Sequence, residues 1–288
     1  MSLEILFVLA MTSLGAATVN GALGYGYSSI SVPIGLLVTT SRILNPALVV
    51  IEVVVNLYAL AINWRSVPRV IKRVAPLSIG LVPGVIAGAF LLDYIAAADA
   101  KLVAFGVLLP LILVQASGKR FPIRNERRAS VPLGAGVGLL YGVTTISGPP
   151  LALFWNNQGL EKNDFKTALA VVRSIESLCA LAAYSYLGLL TAESASILPW
   201  IAPGVLIGFP VGHWLVRRVG VETFRRVCMS FDAYLVAFGL ARTLIAFGVA
   251  PILAYQLLLI TAVIDGRLLF VYFKPPADKA VDRTPALV

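Results

Sequence analysis

The sequence predicts an all-α integral membrane protein: two inverted repeats, each a broken or re-entrant helical element plus three spans, with one extra C-terminal helix. Three observations carry this. Of the 288 residues, 59% are hydrophobic and only 13% charged, about half the roughly 25% charge of a soluble domain. Long apolar stretches recur along the whole chain, and about 20 such residues cross a bilayer as a helix. A motif near the N-terminus also returns near mid-chain.

The elements follow in order. Residues 3–40 are apolar but interrupted by Asn20-Gly21-Ala22-Leu23-Gly24-Tyr25-Gly26. They read as a broken element rather than a signal peptide, because no Lys or Arg precedes Arg42 and the positive n-region is missing. Spans are expected at 45–63, 74–92 and 100–117. A second apolar stretch, 131–157, is broken between Gly142 and Pro150, and spans follow at 164–187, 195–216, 227–247 and 250–272. The segments are too long, and alternate too little, for a barrel. The chain thus divides into a first repeat (1–120), a basic linker (121–130), a second repeat (131–247), an added helix (248–273) and a tail (274–288).

Charge orients these elements. Lys and Arg collect at 64–73, 118–130, 217–226 and in the tail at Lys274, Lys279 and Arg283, and such loops face the cytoplasm. The loops near Asp93 and Asp99, near Glu193 and at 248–250 are poor in positive charge and belong outside. The set is consistent only if 3–40 and 131–157 each enter and return on one side, leaving seven full spans. The C-terminus is then cytoplasmic.

Tyr25-Gly26-Tyr27-Ser28-Ser29-Ile30-Ser31-Val32-Pro33 aligns with Tyr141-Gly142-Val143-Thr144-Thr145-Ile146-Ser147-Gly148-Pro149 at an offset of 116, and Pro83-Gly84 with Gly88 matches Pro203-Gly204 with Gly208 at an offset of 120. Equivalent loops carry opposite charge character, so the repeats are inverted. Inverted repeats with broken helices belong to secondary transporters, whose substrate sits where the halves meet.

The candidate site follows from the breaks. Half-helices starting at Ser28 and Thr144 would aim free N–H groups and a positive dipole end into the membrane, an arrangement suited to an anion. Tyr25, Ser28, Ser29, Ser31, Tyr141, Thr144, Thr145 and Ser147 are the substrate-binding candidates; the bland alternative is that they only cap broken helices. Asn45, Glu52, Asn56 and Asn63 form one helical stripe, mapping at an offset of 121 onto Lys166, Arg173, Ser177 and Tyr184. The two stripes should face each other. Arg173 is the candidate counter-charge, with Asn56 and Ser177 beside it, and Glu52 or Glu176 the proton carrier, since ionisable residues at membrane depth are costly and mark pathways. Alternatively, Glu52 and Glu176 only neutralise Arg173 and lock the halves. Asp232 and Arg242 read as a packing pair, His213 as an interfacial anchor beside Trp214, and Cys179 and Cys228 as buried packing thiols. With one histidine, no metal or other cofactor is expected, and no catalytic base accompanies Ser147, so an enzyme is not the expectation. A carrier of another small anion such as a carboxylate, or an anion channel, is the alternative.

The broken N-terminal segment repeated as Ile146-Ser147-Gly148-Pro149-Pro150, with Pro-Gly-x-x-x-Gly at Pro83–Gly88 and Pro203–Gly208, resembles the sulfite exporter TauE/SafE family, also called the 4-toluene sulfonate uptake permease family. The resemblance covers nearly the whole chain. It implies a multi-pass transporter of the bacterial inner membrane that exports sulfur-containing anions such as sulfite and organosulfonates, driven by protons. Family members have denser glycine where this chain has Tyr25, Tyr27 and two serines, which implies a more polar pocket. A homodimer would use the Gly84/Gly88 or Gly204/Gly208 faces, unless these pack within the monomer.

Overall fold

The computed structural model describes residues 2–117, 125–160, 162–219 and 221–273. Eleven α-helices are built from them: α1 (Leu3–Leu23), α2 (Tyr27–Val38), α3 (Ser41–Ile62), α4 (Val67–Tyr94), α5 (Ala97–Ser117), α6 (Glu126–Thr144), α7 (Gly148–Asn157), α8 (Lys162–Tyr186), α9 (Ala192–Val219), α10 (Val221–Ala246) and α11 (Pro251–Phe273). The seven expected spans are α3 to α5 and α8 to α11. Among the described residues, eight helices are long and apolar enough to cross a membrane, because α1 alone reaches 21 residues. The first break falls late in the 3–40 stretch, so its arms are unequal. Lys119, Arg120 and Arg124 of the basic loop 118–130, and Lys274, Lys279 and Arg283 of the tail, lie outside the described residues.

The two breaks are made differently. Gly24 (φ 83°) ends α1 and Gly26 (φ 108°) caps α2 in the left-handed region, which glycine enters without steric cost. In the second break Thr144 is the last residue of α6, and Thr145, at φ 58°, is the one non-glycine residue of positive φ among those described. The half-helix expected to start at Thr144 therefore starts at Gly148. Pro149 and Pro150, with their fixed φ, occupy its first turn.

This corrects the register of the repeat. α1 and α6 end at Leu23 and Thr144, and α2 and α7 begin at Tyr27 and Gly148. Both pairs are separated by 121 residues, the offset of the polar stripes, rather than by the 116 of the matching motif. Tyr25 lies in a break while Tyr141 is inside α6. Small and hydroxyl residues suit either flank of a break, so the motif repeats a composition and not a position.

α6 and α7 form a hairpin whose two ends meet on Arg73 of α4. Its Nε donates to Glu126 Oε1 at 2.5 Å and its Nη2 to the Gln158 carbonyl at 3.1 Å. Glycine seams fix the arms. Gly80, Gly84 and Gly88 of α4 lie on the backbone of Val131, Ala135 and Leu139 in α6, and Gly204, Gly208 and Gly212 of α9 lie on the backbone of α1 from Ala10 to Ala22. A Cβ at Gly84 would run into the Ala135 carbonyl. Both Pro-Gly-x-x-x-Gly faces are therefore occupied inside the chain, as small-residue seams between helices allow, and are not open as homodimer surfaces. Cys179 and Cys228 are free and only part-buried, not the fully buried thiols expected.

Candidate functional site

α3 and α8 pack against each other with their polar stripes face to face. At the crossing, Arg173 Nη2 donates to Glu52 Oε1 at 2.8 Å, and Asn56 Nδ2 donates to Ser177 Oγ at 3.3 Å and to the Arg173 carbonyl at 3.1 Å. Glu52 with Arg173, and Asn56 with Ser177, are equivalent positions of the two stripes. Each thus meets its own counterpart.

The broken helices complete the cluster. Tyr141 of α6 donates its hydroxyl to Glu52 Oε2 at 2.6 Å, and Asn20, three residues before the end of α1, accepts from Arg173 Nη1 at 3.2 Å. Ser147, the N-cap of α7, donates to Glu176 Oε1. Glu176 Oε1 also stands 3.8 Å from Arg173 Nε. The guanidinium is thus shared by two carboxylates, and all three side chains are at most 2% exposed. One hydrogen-bonding position on each side stays unmet: among the described residues Arg173 Nε and Glu176 Oε2 have no hydrogen-bond partner. Burying such groups is expensive unless they are paired or find a ligand.

Backbone freed by the breaks is satisfied nearby. Asn45 Nδ2 donates to the Val143 carbonyl at 2.8 Å, and Tyr184 OH to that of Gly142 at 2.7 Å. In the other half the Lys166 stem lies beside Gly24, placing a cation near the C-terminal end of α1, where a helix dipole favours it.

The expected residues therefore separate. Glu52, Asn56, Tyr141, Ser147, Arg173, Glu176 and Ser177 form one buried cluster. Thr144 and Thr145 instead give their hydroxyls to the Leu140 and Thr144 carbonyls, both at 2.6 Å. Tyr25 OH accepts from Gln115 Nε2 of α5 at 2.9 Å. Ser28 is buried in the first turn of α2. Ser29 donates to the Gly26 carbonyl at 3.1 Å and lies beside Asp232 of α10. Ser31 is buried beside Tyr27 on α2.

Two members were missed. Asn20 stood within the quoted break, and a lone amide ending an apolar helix was the available signal. Asp232 was paired with Arg242 on the strength of a spacing of ten. At about 1.5 Å per residue, that spacing separates them by about 15 Å along the helix. Asp232 is fully buried beside Ser29, whereas Arg242 is exposed and near Lys101. Each half-helix N-terminus thus has a buried carboxylate of the protein beside it, Asp232 for α2 and Glu176 for α7. His213 is exposed and 2.9 Å from Arg217, and the Arg218 guanidinium stacks on Trp214 at 4.6 Å.

The family model of the sulfite exporter TauE/SafE matches residues 9–241. This chain belongs to the TauE/SafE sulfite exporter family. The match takes in both breaks, the α3–α8 crossing and every residue of the buried cluster. A relative from Cupriavidus necator, named "Probable sulfite/organosulfonate exporter TauE", is 25% identical over 233 residues, covering 77% of this chain and 91% of that protein. No solved structure matches the chain significantly. Family membership and eight long apolar helices make it a multi-pass membrane protein of a transporter family.

Proposed function

We propose that the chain is a secondary transporter that exports a small sulfur oxyanion or sulfonate by alternating access, coupled to protons at the Glu52–Arg173–Glu176 cluster. The carrying observation is that one buried guanidinium joins two carboxylates where α3, α8 and both broken elements converge. The relative's name supports the substrate class.

The chemistry follows from the arrangement. With both carboxylates ionised, Arg173 is held between them and an incoming anion meets net negative charge. A proton on Glu176 weakens its hold on Arg173, and the planar guanidinium then offers parallel N–H donors to an oxyanion. Ser147 and the first turn of α7 add a hydroxyl and a positive dipole end. Proton and anion therefore bind together. If a sulfite dianion leaves with one proton, one net negative charge moves out, which an inside-negative potential favours by about 2.3 kcal/mol per 100 mV.

In this reading the halves 1–120 and 131–247 are inverted, and the basic loops and C-terminus lie on the cytoplasmic side of a bacterial inner membrane. The pairing of α1 with α9 and of α4 with α6 supports the duplication, because each contact has its counterpart. No catalytic step is assigned to the chain.

The test is flux of radiolabelled sulfite in proteoliposomes. The wild type accelerates efflux, and sulfite movement carries protons detectable with a trapped dye. Arg173→Gln lowers flux at low sulfite at least tenfold. Normal transport by that variant would sink the assignment, and carboxylate flux without sulfite flux would move the substrate class. Sulfite flux with no proton movement leaves a uniporter or channel.

A further inference from the structure

A second cationic site stands apart from the buried cluster. Lys101, in the second turn of α5, and Arg242, near the end of α10, line one cavity of about 270 Å³ with Leu36, Leu37, Phe105 and Gly239. It lies at the end of the bundle where α4 gives way to α5 and α10 to α11, the end that the charge reading places outside. Cations are scarce there, yet these two are close enough for their charges to repel. Among the described residues neither has a carboxylate within salt-bridge distance.

Lys101 does not reach out to water as a solitary interfacial lysine does. It folds back, part-buried, to give one N–H to the Leu36 carbonyl near the C-terminal end of α2, and two of its three donors have no protein acceptor among the described residues. Arg242 donates to no protein acceptor among them. The wall opposite is shaped by Gly239, where a Cβ would come within 2.6 Å of the Phe105 ring. Apolar walls around two like charges concentrate their field in the cavity. The volume is several times the roughly 30 Å³ share of one water.

We propose that this cavity binds a small oxyanion group between Lys101 and Arg242, beside the C-terminal end of α2. An oxyanion removes the repulsion and supplies acceptors for both cations at once. Two sources offer that chemistry, a free sulfite-type ion and the phosphate of an anionic lipid. The proposal rests on the transport reading only for sulfite as probe.

The experiment is equilibrium binding of radiolabelled sulfite to the full chain in maltoside detergent, comparing wild type, Lys101→Gln/Arg242→Gln and Lys101→Arg/Arg242→Lys. The neutral double variant loses one sulfite per chain, or weakens it at least tenfold, while the charge-keeping variant retains it. Two equivalents falling to one means both sites bind; one falling to none means the outer site stands and the central reading fails. Phosphatidylglycerol is then added. Displacement of that equivalent identifies the lipid phosphate as occupant, and persistence identifies the free ion. Unchanged sulfite binding and unchanged phosphatidylglycerol retention in the neutral variant, with an intact elution profile, overturn the proposal.

Discussion

Glu52 and Arg173 hold the same place in two polar stripes offset by 121 residues and bind each other, 2.8 Å apart and buried. A residue that meets its own counterpart lies on the line where the halves join. The ion pair therefore serves as joint and as candidate switch, and these roles are separable by experiment.

Arg173→Gln leaves Glu52 and Glu176 buried without their cation. Breaking a buried pair on one side costs about 3–5 kcal/mol, so the unfolding midpoint in detergent falls sharply. Glu52→Gln/Arg173→Gln recovers the part of that loss due to Glu52, with Glu176 still lacking its cation, yet does not recover sulfite transport. Recovery of both would make the pair purely a joint.

Glu176→Gln keeps a side chain able to accept from Ser147 but cannot take up a proton. We expect sulfite exchange to persist while its dependence on a pH gradient disappears. The check is counterflow against net flux in the same proteoliposomes. Retained gradient dependence would assign the proton to Glu52.

Asp232→Leu replaces a fully buried carboxyl beside Ser29 with an apolar side chain. The unfolding midpoint should hold or rise, with a gain of up to about 1–3 kcal/mol, the scale of burying a polar group. The midpoint of Arg242→Gln should be additive with it, since the two are not paired. A coupling above about 0.5 kcal/mol in the double-mutant cycle contradicts this separation.

The glycine seams give a prediction with internal controls. Gly84→Ala and Gly208→Ala place a methyl against backbone of the neighbouring helix, and overpacking of this kind costs about 1–3 kcal/mol. Gly106→Ala and Gly136→Ala meet nothing within 4 Å and should be neutral or slightly stabilising, as alanine favours helix over glycine. Equal loss at all four sites would remove the packing argument.

What was legible in the sequence follows from these cases. The spans showed because bilayer thickness imposes a length, and the polar stripes because Glu52 and Arg173 lie too deep to be there without a partner. The register of the second break was hidden: Thr144 and Thr145 look like a helix start, but a hydroxyl serves a helix end equally well, and Pro149-Pro150 decide the start. Asp232 was misassigned because helical spacing tells which face a residue lies on and not how far along the axis its partner stands. Whether the glycine faces turn inward or outward depends on tertiary contacts that no local pattern encodes.

The meeting of equivalent positions also bears on ancestry. An ancestor assembled from two identical halves would have set two glutamates or two arginines against each other at this joint, burying like charges. On the duplication reading, the present opposite charges mean that the halves have diverged at this joint. On that reading, a half expressed alone is expected to set like charges against each other when it meets a copy of itself, so one ion pair would hold the two halves to a single chain.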